Sequence, residues 1–582
     1  MALIVGIHNT GVLSSAALVV DGRLEFGAAE ERFDRQKYSK YFPHRAIAAG
    51  LKAVGATLSD VDVFAVAWNP GINIADKYRA GFSEWPAHPG ERLYANPNHI
   101  LPKLDRRPFA MTEQTFFGQD GVAAKFAHVN HHLAHCANSY FLSGFPDAAL
   151  FSCDGYGERA TTAWGGARAG EIAIVRQTEF PHSIGSLYSA VTQHLGFRPD
   201  LDEWKVMGAA AYGDAGACHD ALRKLIEYGD DGSFELDLRY FNHFNFDRAG
   251  LFAPRIAELI GPALAPGAAL SQHHFNIAAG LQKIVEDYLL TALRWLARTS
   301  PHRRLCLSGG VLMNSLFNGR LAAEGLFDEV YIPFAPDDSG NSIGAALWMA
   351  NRMGERRIGA TLAPYLGPDY DEPSIKAVLD QFKLPYLRPQ SIAKTVARLL
   401  AEGKITGWFQ GRMEFGQRAL GGRSILADPR DPSMKERLNA SVKYREAFRP
   451  FAPALRREDV SDWFSNAPPT GVPYMERALP VREAKRGLIP AAVHADGTGR
   501  VQSVDRAWSP LFYDLIAAFG DKTGVPVLIN TSFNIAGEPI VESPADAVRT
   551  FFGSGLDILA CGPFLLAKDP ALLAALAWGD ER

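Results

Sequence analysis

The sequence predicts an α/β protein in two parts: an N-terminal region made of two related α/β halves, and a C-terminal α/β domain. Three observations carry this. A strand–turn–strand–turn–strand pattern occurs at the start of the chain and again from Ala148. Apolar residues at spacings of three and four interleave with those strands. A polar stretch punctuated by Gly and Pro, from Glu355 to Pro373, sets a boundary near residue 358. The domains are therefore read as 1–358 and 359–582, which suits 582 residues at roughly 100 to 200 residues per domain.

In chain order, ALIVGI, SSAALVVDG and RLEFGAAEE are β-branched or apolar runs divided by Gly and Asp-Gly turn signals. Helices are expected at Pro43 to Ala56 and His132 to Leu142. AALFSCDG, ATTAWGGA and EIAIVRQ repeat the opening pattern and place a cleft between the halves. Further helices follow at Leu270 to Thr299 and Gly340 to Met353. Two segments of weak periodicity, roughly Asn69 to Gln119 and Gly213 to Pro266, read as insertions on the scaffold, one of them a candidate substrate lid. The second domain opens with the helix SIAKTVARLLAEG and the strand KITGWFQG, and ends with the strand VPVLIN and the helix SPADAVRTFFGSG.

Composition removes several classes. With 47% hydrophobic and 21% charged residues the chain is neither disordered nor fibrous. A net charge of −4 supplies no overall positive field for a nucleic acid or an anionic membrane, so any anion site is local. No apolar run approaches the roughly 20 residues needed to cross a bilayer, and MALIVGIHNTG lacks the features of a signal peptide. The five cysteines are an odd, scattered set without a CxxC pair, which fits reduced thiols and a cytoplasmic location.

Four of the sixteen histidines (His128, His131, His132, His135) fall within eight residues. On a helix His131 and His135 share one face and can ligate one metal; the competing reading is rings that cap or satisfy core hydrogen bonds. Asp154, at a strand end in FSCDGYGE, and Asp338, before a helix in APDDSGNS, can complete such a site or serve as turn and cap residues. RLCLSGGVLMNSLFNGRL reads as a strand, a Gly-Gly turn and a helix, which can receive a phosphate or can simply need two glycines. From Lys404 to Arg457 there are twelve Lys or Arg against five Asp or Glu. Arg412, Arg418, Arg423, Lys443, Arg445 and Arg449 sit there beside glycine or apolar residues, as suits a triphosphate or acyl phosphate, although a solvated basic face would look alike. Arg500 and Asn530, at or beyond strand ends, can read a phosphate and a nucleobase or carbamoyl group, while Ser532 serves equally in a turn.

Together these motifs resemble the O-carbamoyltransferases of the NodU/CmcH type, which modify antibiotics, nodulation factors and other natural products. The resemblance covers nearly the whole chain. It is carried by SSAALVVDGRLEFGAAEERFDRQK, HHLAHCANSY, CDGYGE, WKVMGAAAYGD, LSGGVLMNSLFNGRL, DDSGNSIGAA, GWFQGRMEFGQRALGGRSILADPR, KYREAFRPFAPA and INTSFNIAGEPIVESPADA. It implies an actin-like (ASKHA) duplicated α/β domain followed by a YrdC-like α/β domain. The latter would join carbamoyl phosphate to ATP, with Mg²⁺, to give carbamoyl-adenylate. The former would pass the carbamoyl group to a hydroxyl of a small-molecule acceptor.

Residue by residue, the resemblance implies His131, His135 and Asp338 as metal ligands, with Asp154 beside them, and iron(II) or another divalent ion as the metal. It implies Lys205, Gly309, Gly310 and Asn314 at the nucleotide of the N-terminal domain. In the C-terminal domain Arg412, Arg418, Arg423, Lys443, Arg449, Arg500, Asn530 and Ser532 would hold ATP and carbamoyl phosphate. Catalytic roles fall to His8, His132 and Lys443. The pattern departs from the family at Gly11 and Leu13, where relatives carry a turn histidine that serves as base; His8 is the local candidate to replace it. Gln417 stands where a proline is usual. A homodimer is compatible with the resemblance. Two other readings are a fused tRNA threonylcarbamoyl-adenosine synthase, disfavoured by the charge, and a nucleotide-binding regulator without transfer activity.

Overall fold

The computed structural model describes residues 2–10, 13–69, 111–117, 123–245, 248–355, 363–446, 448–449 and 451–580. Most of the Asn69 to Gln119 segment, one of the two lid candidates, and the stretch around residue 358 lie outside them. The chain forms two compact units. The first comprises Met1–Glu30, Lys40–Asn314 and Glu324–Leu362; the second comprises Ala363–Arg582 together with Glu31–Ser39 and Ser315–Ala323.

Both units are mixed α/β. In the first, β1 (Leu3–His8), β2 (Ser15–Val20) and β3 (Arg23–Ala29) form an antiparallel meander. Next, β4 (Val63–Val66) pairs parallel to β1, then β6 (Ala123–Val129) pairs parallel to β4, with β5 (Met111–Phe117) on the edge. The second sheet repeats this plan. There β7 (Asp147–Cys153), β8 (Ala160–Arg168) and β9 (Glu171–Glu179) form the meander, β12 (Arg304–Ser308) pairs parallel to β7, and β13 (Glu329–Tyr331) pairs parallel to β12. The six-residue β1 is buried along its length, as is β7 beyond its first residue, which is why both read as continuous apolar runs instead of alternating ones.

The duplication puts the carboxyl ends of β1 and β7 in matching positions, so His8 and Asp154 stand at equivalent strand ends. Two helices connect to them. Helix His131–Ser143 is buried throughout; Asn130 caps it by accepting from Leu133 N–H at 2.9 Å, and Gly144 ends it at φ 73°. Helix Asn341–Arg352 packs against it so closely that a Cβ on Gly344 would lie 1.9 Å from the Ala134 carbonyl oxygen. Glycine is thus required there by backbone contact, not by φ. The Gly213 to Pro266 segment contains helix Gly216–Arg223 and the hairpin β10 (Ile226–Tyr228) and β11 (Phe234–Leu236). Three-residue strands are too short to show a period in sequence.

The second unit is built on a seven-stranded sheet. Its order is β19 (Gln502–Val504), β16 (Ala452–Arg456), β20 (Val527–Ser532), β15 (Arg423–Ala427), β14 (Thr406–Phe409), β21 (Ile558–Cys561) and β22 (Phe564–Ala567). Apolar clusters pack on it, one from helix Ile392–Ala401 and helix Pro510–Thr523, another from helix Pro544–Phe552. A small sheet of β17 (Ala478–Pro480) and β18 (Thr498–Arg500) completes it. All five cysteines are buried and free. Among the described residues no helix is long and apolar enough to cross a membrane.

Candidate active site

In the first unit His131, His135, Asp154 and Asp338 converge, with one ligand atom of each within 4.8 Å of the others. Asp154 Oδ2 lies 3.1 Å from His131 Nε2 and 2.9 Å from His135 Nε2. The two Nε2 atoms are 3.2 Å apart, and Asp338 Oδ1 is 3.4 and 3.3 Å from them. A divalent ion with bonds of about 2.0–2.2 Å places neighbouring ligands roughly 2.8–3.6 Å apart, so these spacings are those of a coordination shell. The donor set, two imidazoles and two carboxylates, suits zinc, iron or manganese.

The electrostatics ask for a cation at the centre. Burial disfavours a charged ring at His131, yet the Asp338 and Asp154 carboxylates outweigh it and hold its pKa well above the usual histidine value. Burial would raise Asp154, but hydrogen bonds with His131 and His135 hold it well below the usual carboxylate range. Neighbouring groups fix the ligands. Gly310 N–H donates to Asp154 Oδ1 at 3.0 Å and leaves Oδ2 facing the rings. Gly309, at φ 98°, passes so close to Cys153 that a Cβ would lie 2.1 Å from its carbonyl oxygen. The Asn341 amide lies 3.4 Å from His131 Nδ1; with its oxygen turned to that nitrogen, Nδ1–H donates and Nε2 is left as the ligand. Glu158, which sequence reasoning passed over although it closes CDGYGE, accepts from His131 N–H at 3.0 Å and from Asn130 Nδ2 at 3.1 Å, holding the start of the ligand helix.

His8 is buried beside this group, its Nε2 3.5 Å from Asp338 Oδ2 and both ring nitrogens without a hydrogen-bond partner among the described residues. Burial pushes its pKa down to about 4, so the ring is a neutral proton acceptor at pH 7. Of the two positions where the family pattern fails, Leu13 is buried and Gly11 lies outside the described residues.

His132 does not share this position. Its Nδ1 is 2.9 Å from Ser152 Oγ and its Nε2 2.9 Å from the Ala160 carbonyl, so both nitrogens are spent on the scaffold and the catalytic expectation for it is corrected. One residue along a helix turns a side chain about 100° away from the ligand face. Asn314 and Gln282 bond each other reciprocally at 2.9 Å, and Lys205 pairs with Asp202 at 3.3 Å.

The second unit gathers cations. Lys443 ends a wide helical turn, Asn439–Lys443, before Tyr444 at φ 45°. Its Nζ donates to Asn534 Oδ1 at 2.8 Å, Asn534 O at 3.1 Å, Ser532 Oγ at 3.2 Å and the Ser532 carbonyl. Burial, then Arg445, Arg449 and Lys37, hold its pKa well below the ordinary lysine value. Burial, then Arg418, Arg445 and Arg449, depress Arg500 in the same way. Cations that oppose one another in a buried setting make a candidate anion site. Asn530 lies close by: its Nδ2 donates to Gln502 Oε1 at 2.7 Å and to Ala419 O at 3.2 Å, while its Oδ1 is buried without a partner among the described residues.

Arg423 is turned elsewhere, and its assignment to the anion site is corrected. It is fully buried, donates to the carbonyls of Gly411, Gln410, Glu542 and Pro368 at 2.8–3.3 Å, and stacks on Phe409 at 3.7 Å. Arg412 donates to the carbonyls of Leu366 at 2.8 Å and Gly367 at 3.1 Å. Lys37 reaches the site from Glu31–Ser39, which belongs to the second unit although it lies near the start of the chain.

Comparison with known proteins identifies the family. The family described as Carbamoyltransferase N-terminus matches residues 3–347, and that described as Carbamoyltransferase C-terminus matches residues 397–568. The chain belongs to the carbamoyltransferase family. This carbamoyltransferase is 36% identical to nodulation protein NolNO of Sinorhizobium fredii, over 97% of its own length and 80% of that protein. It is 35% identical to the uncharacterized protein sll1178 of Synechocystis (98% and 97%), and 29% identical to nodulation protein U of Rhizobium tropici (95% and 94%). Among solved structures, component A of the Acidaminococcus fermentans (R)-2-hydroxyglutaryl-CoA dehydratase overlaps 61% of the chain and 100% of its own at TM-score 0.32 and 11% identity, too slight a likeness to bear on fold or function.

Proposed function

We propose that this carbamoyltransferase works in two steps at two sites: in the second unit carbamoyl phosphate loses its phosphate to water and the resulting carbamate attacks the α-phosphate of ATP, with Mg²⁺, giving carbamoyl-adenylate and pyrophosphate; in the first the carbamoyl group passes to a hydroxyl of a small-molecule acceptor and AMP leaves. The observation that carries the reading is the buried cationic group in a family member that also holds a four-ligand cluster in its other unit. Two polyanions repel each other, and cations that already strain against one another are stabilised when both bind. Lys443, Arg418, Arg445, Arg449 and Arg500 supply that charge. The actin-like and YrdC-like assignments of the two units belong to the same proposal, as does Asn314, with Gly309 and Gly310, at a nucleotide.

In the first unit His131, His135, Asp154 and Asp338 would hold a divalent ion, for which iron(II) is the candidate. Such an ion supplies Lewis-acid polarisation and lowers the pKa of a bound hydroxyl. Gly310 and Asn341 keep the ligand atoms aimed, and Glu158 fixes the helix that carries two of them. His8, neutral and unpartnered beside Asp338, takes the acceptor proton at Nε2 or Nδ1. The acceptor is a hydroxylated natural product of low molecular mass.

The test separates the steps. Lys443→Ala or Arg449→Ala abolishes carbamoyl-adenylate formation, whereas His135→Ala leaves it intact and stops transfer. Equal loss of both steps in all three variants refutes the division of labour.

A further inference from the structure

The turn that leads into Arg500 holds a hydrogen-bond chain whose direction is fixed by chemistry. Asp496 Oδ1 accepts from the Thr498 backbone N–H at 2.9 Å and from the Thr498 hydroxyl at 2.7 Å. With its one proton spent, Thr498 Oγ1 is left to accept from His494 Nδ1 at 3.0 Å. The turn is pinned by His494 N–H donating to Thr498 O at 2.8 Å and by Gly497 N–H donating to His494 O at 3.0 Å. Nδ1 therefore carries the ring proton, and Nε2 presents a lone pair.

That Nε2 is buried and has no hydrogen-bond partner among the described residues. Its charged neighbours are Asp496, Arg500 and Lys435; burial dominates and pushes the ring pKa down to about 4, so the lone pair is present at neutral pH. Arg500 in turn feels Arg418, Arg445 and Arg449. The site thus offers cations and, beside them among the described residues, two buried acceptors without a partner, Asn530 Oδ1 and His494 Nε2. A fully ionised phosphate satisfies the cations only. A ligand that satisfies both has anionic oxygens at one end and N–H donors at the other.

We propose that His494 Nε2 accepts an N–H from the carbamoyl amino group of carbamoyl phosphate and so makes the site select it over acyl phosphates that lack N–H. Acetyl phosphate is the matched case, with a methyl group where carbamoyl phosphate has NH₂. A site that leaves a buried polar atom unpaired against the wrong ligand rejects it strongly, by factors of roughly 10² to 10⁵. The inference rests on the reading of this site as the one that binds ATP and carbamoyl phosphate.

The experiment uses the full chain with ATP and Mg²⁺, reads pyrophosphate release, and compares the KM of carbamoyl phosphate with the Ki of acetyl phosphate. The wild type is expected to favour carbamoyl phosphate by at least about 100-fold. His494→Leu narrows the gap below about tenfold with the acetyl phosphate Ki unchanged, while His494→Gln, which keeps an acceptor, preserves most of it. Near-equal binding of the two ligands by the wild type, or equal weakening of both in His494→Leu, overturns the inference. Should His494→Leu not fold, the wild-type comparison and His494→Gln decide. Adenylate formation that survives Arg449→Ala unchanged overturns instead the reading of the site beneath it.

Discussion

Replacing Gly344 by alanine tests how helix packing sets the proposed metal ligands. The new Cβ would sit 1.9 Å from the Ala134 carbonyl oxygen and 2.9 Å from Asn138 N, whereas real Cβ contacts essentially never fall below 3.0 Å. Helices His131–Ser143 and Asn341–Arg352 must therefore part by about 1 Å, because both partners are buried backbone that cannot rotate aside. Overpacking of this kind costs about 3 kcal/mol, offset by about 1 kcal/mol from alanine's better helix propensity, for a net loss near 2 kcal/mol. The same displacement carries Asp338, three residues before the helix, away from the Nε2 atoms it faces at 3.3 and 3.4 Å. Metal sites tolerate roughly 0.2 Å, so affinity should fall by about one to two orders of magnitude. Urea unfolding of the metal-free protein and anaerobic titration with iron(II) measure the two effects. A stability change below about 0.5 kcal/mol together with unchanged iron affinity would refute the argument.

Stability should fall steeply in acid. His132, His194 and His243 are buried bases whose pKa values are pushed down to about 3, 4 and 4 by burial. The unfolded chain takes up their protons first, so their contribution is intact above pH 6.5 and is lost as pH falls from 6.5 towards 4, at about 1.4 kcal/mol per unit for each. Urea midpoints at pH 7.5, 6.5 and 5.5 should drop, and a flat profile contradicts the burial of neutral rings. Arg423→Leu should unfold the second unit or cost about 3 kcal/mol or more by removing the donors to the Gly411, Gln410 and Glu542 carbonyls, with no specific change in the KM for ATP in whatever folds; a KM effect without stability loss would return Arg423 to the cationic group. Stripping metal with a chelator should abolish transfer and leave adenylate formation within about twofold, an outcome checked by assaying both steps before and after iron is restored.

The ligand helix was legible because His131 and His135 lie four residues apart, a spacing that fixes a shared face whatever the tertiary fold. Asp154 and Asp338 were legible only as carboxylates at a strand end and before a helix; Asp338 comes to the histidines through the packing of helix Asn341–Arg352 on helix His131–Ser143, a long-range contact that no local pattern encodes. His132 failed the expectation because adjacency in sequence is divergence on a helix. Arg423 failed it because composition reports charge and not direction: it points into the core, where carbonyls and Phe409 take the place of phosphate oxygens. Lys37 reaches the anion site by a long-range docking of Glu31–Ser39 that is invisible to a linear reading. The lone pair of His494 emerges only when each proton in the Asp496–Thr498–His494 chain is counted.

The most direct test of the two-step account omits the acceptor. Purified protein incubated with ATP, carbamoyl phosphate and Mg²⁺ should release pyrophosphate and accumulate carbamoyl-adenylate, identified by its mass. Folded, metal-loaded protein that yields neither product would contradict the account and point to a different acyl donor or to a regulator that transfers nothing.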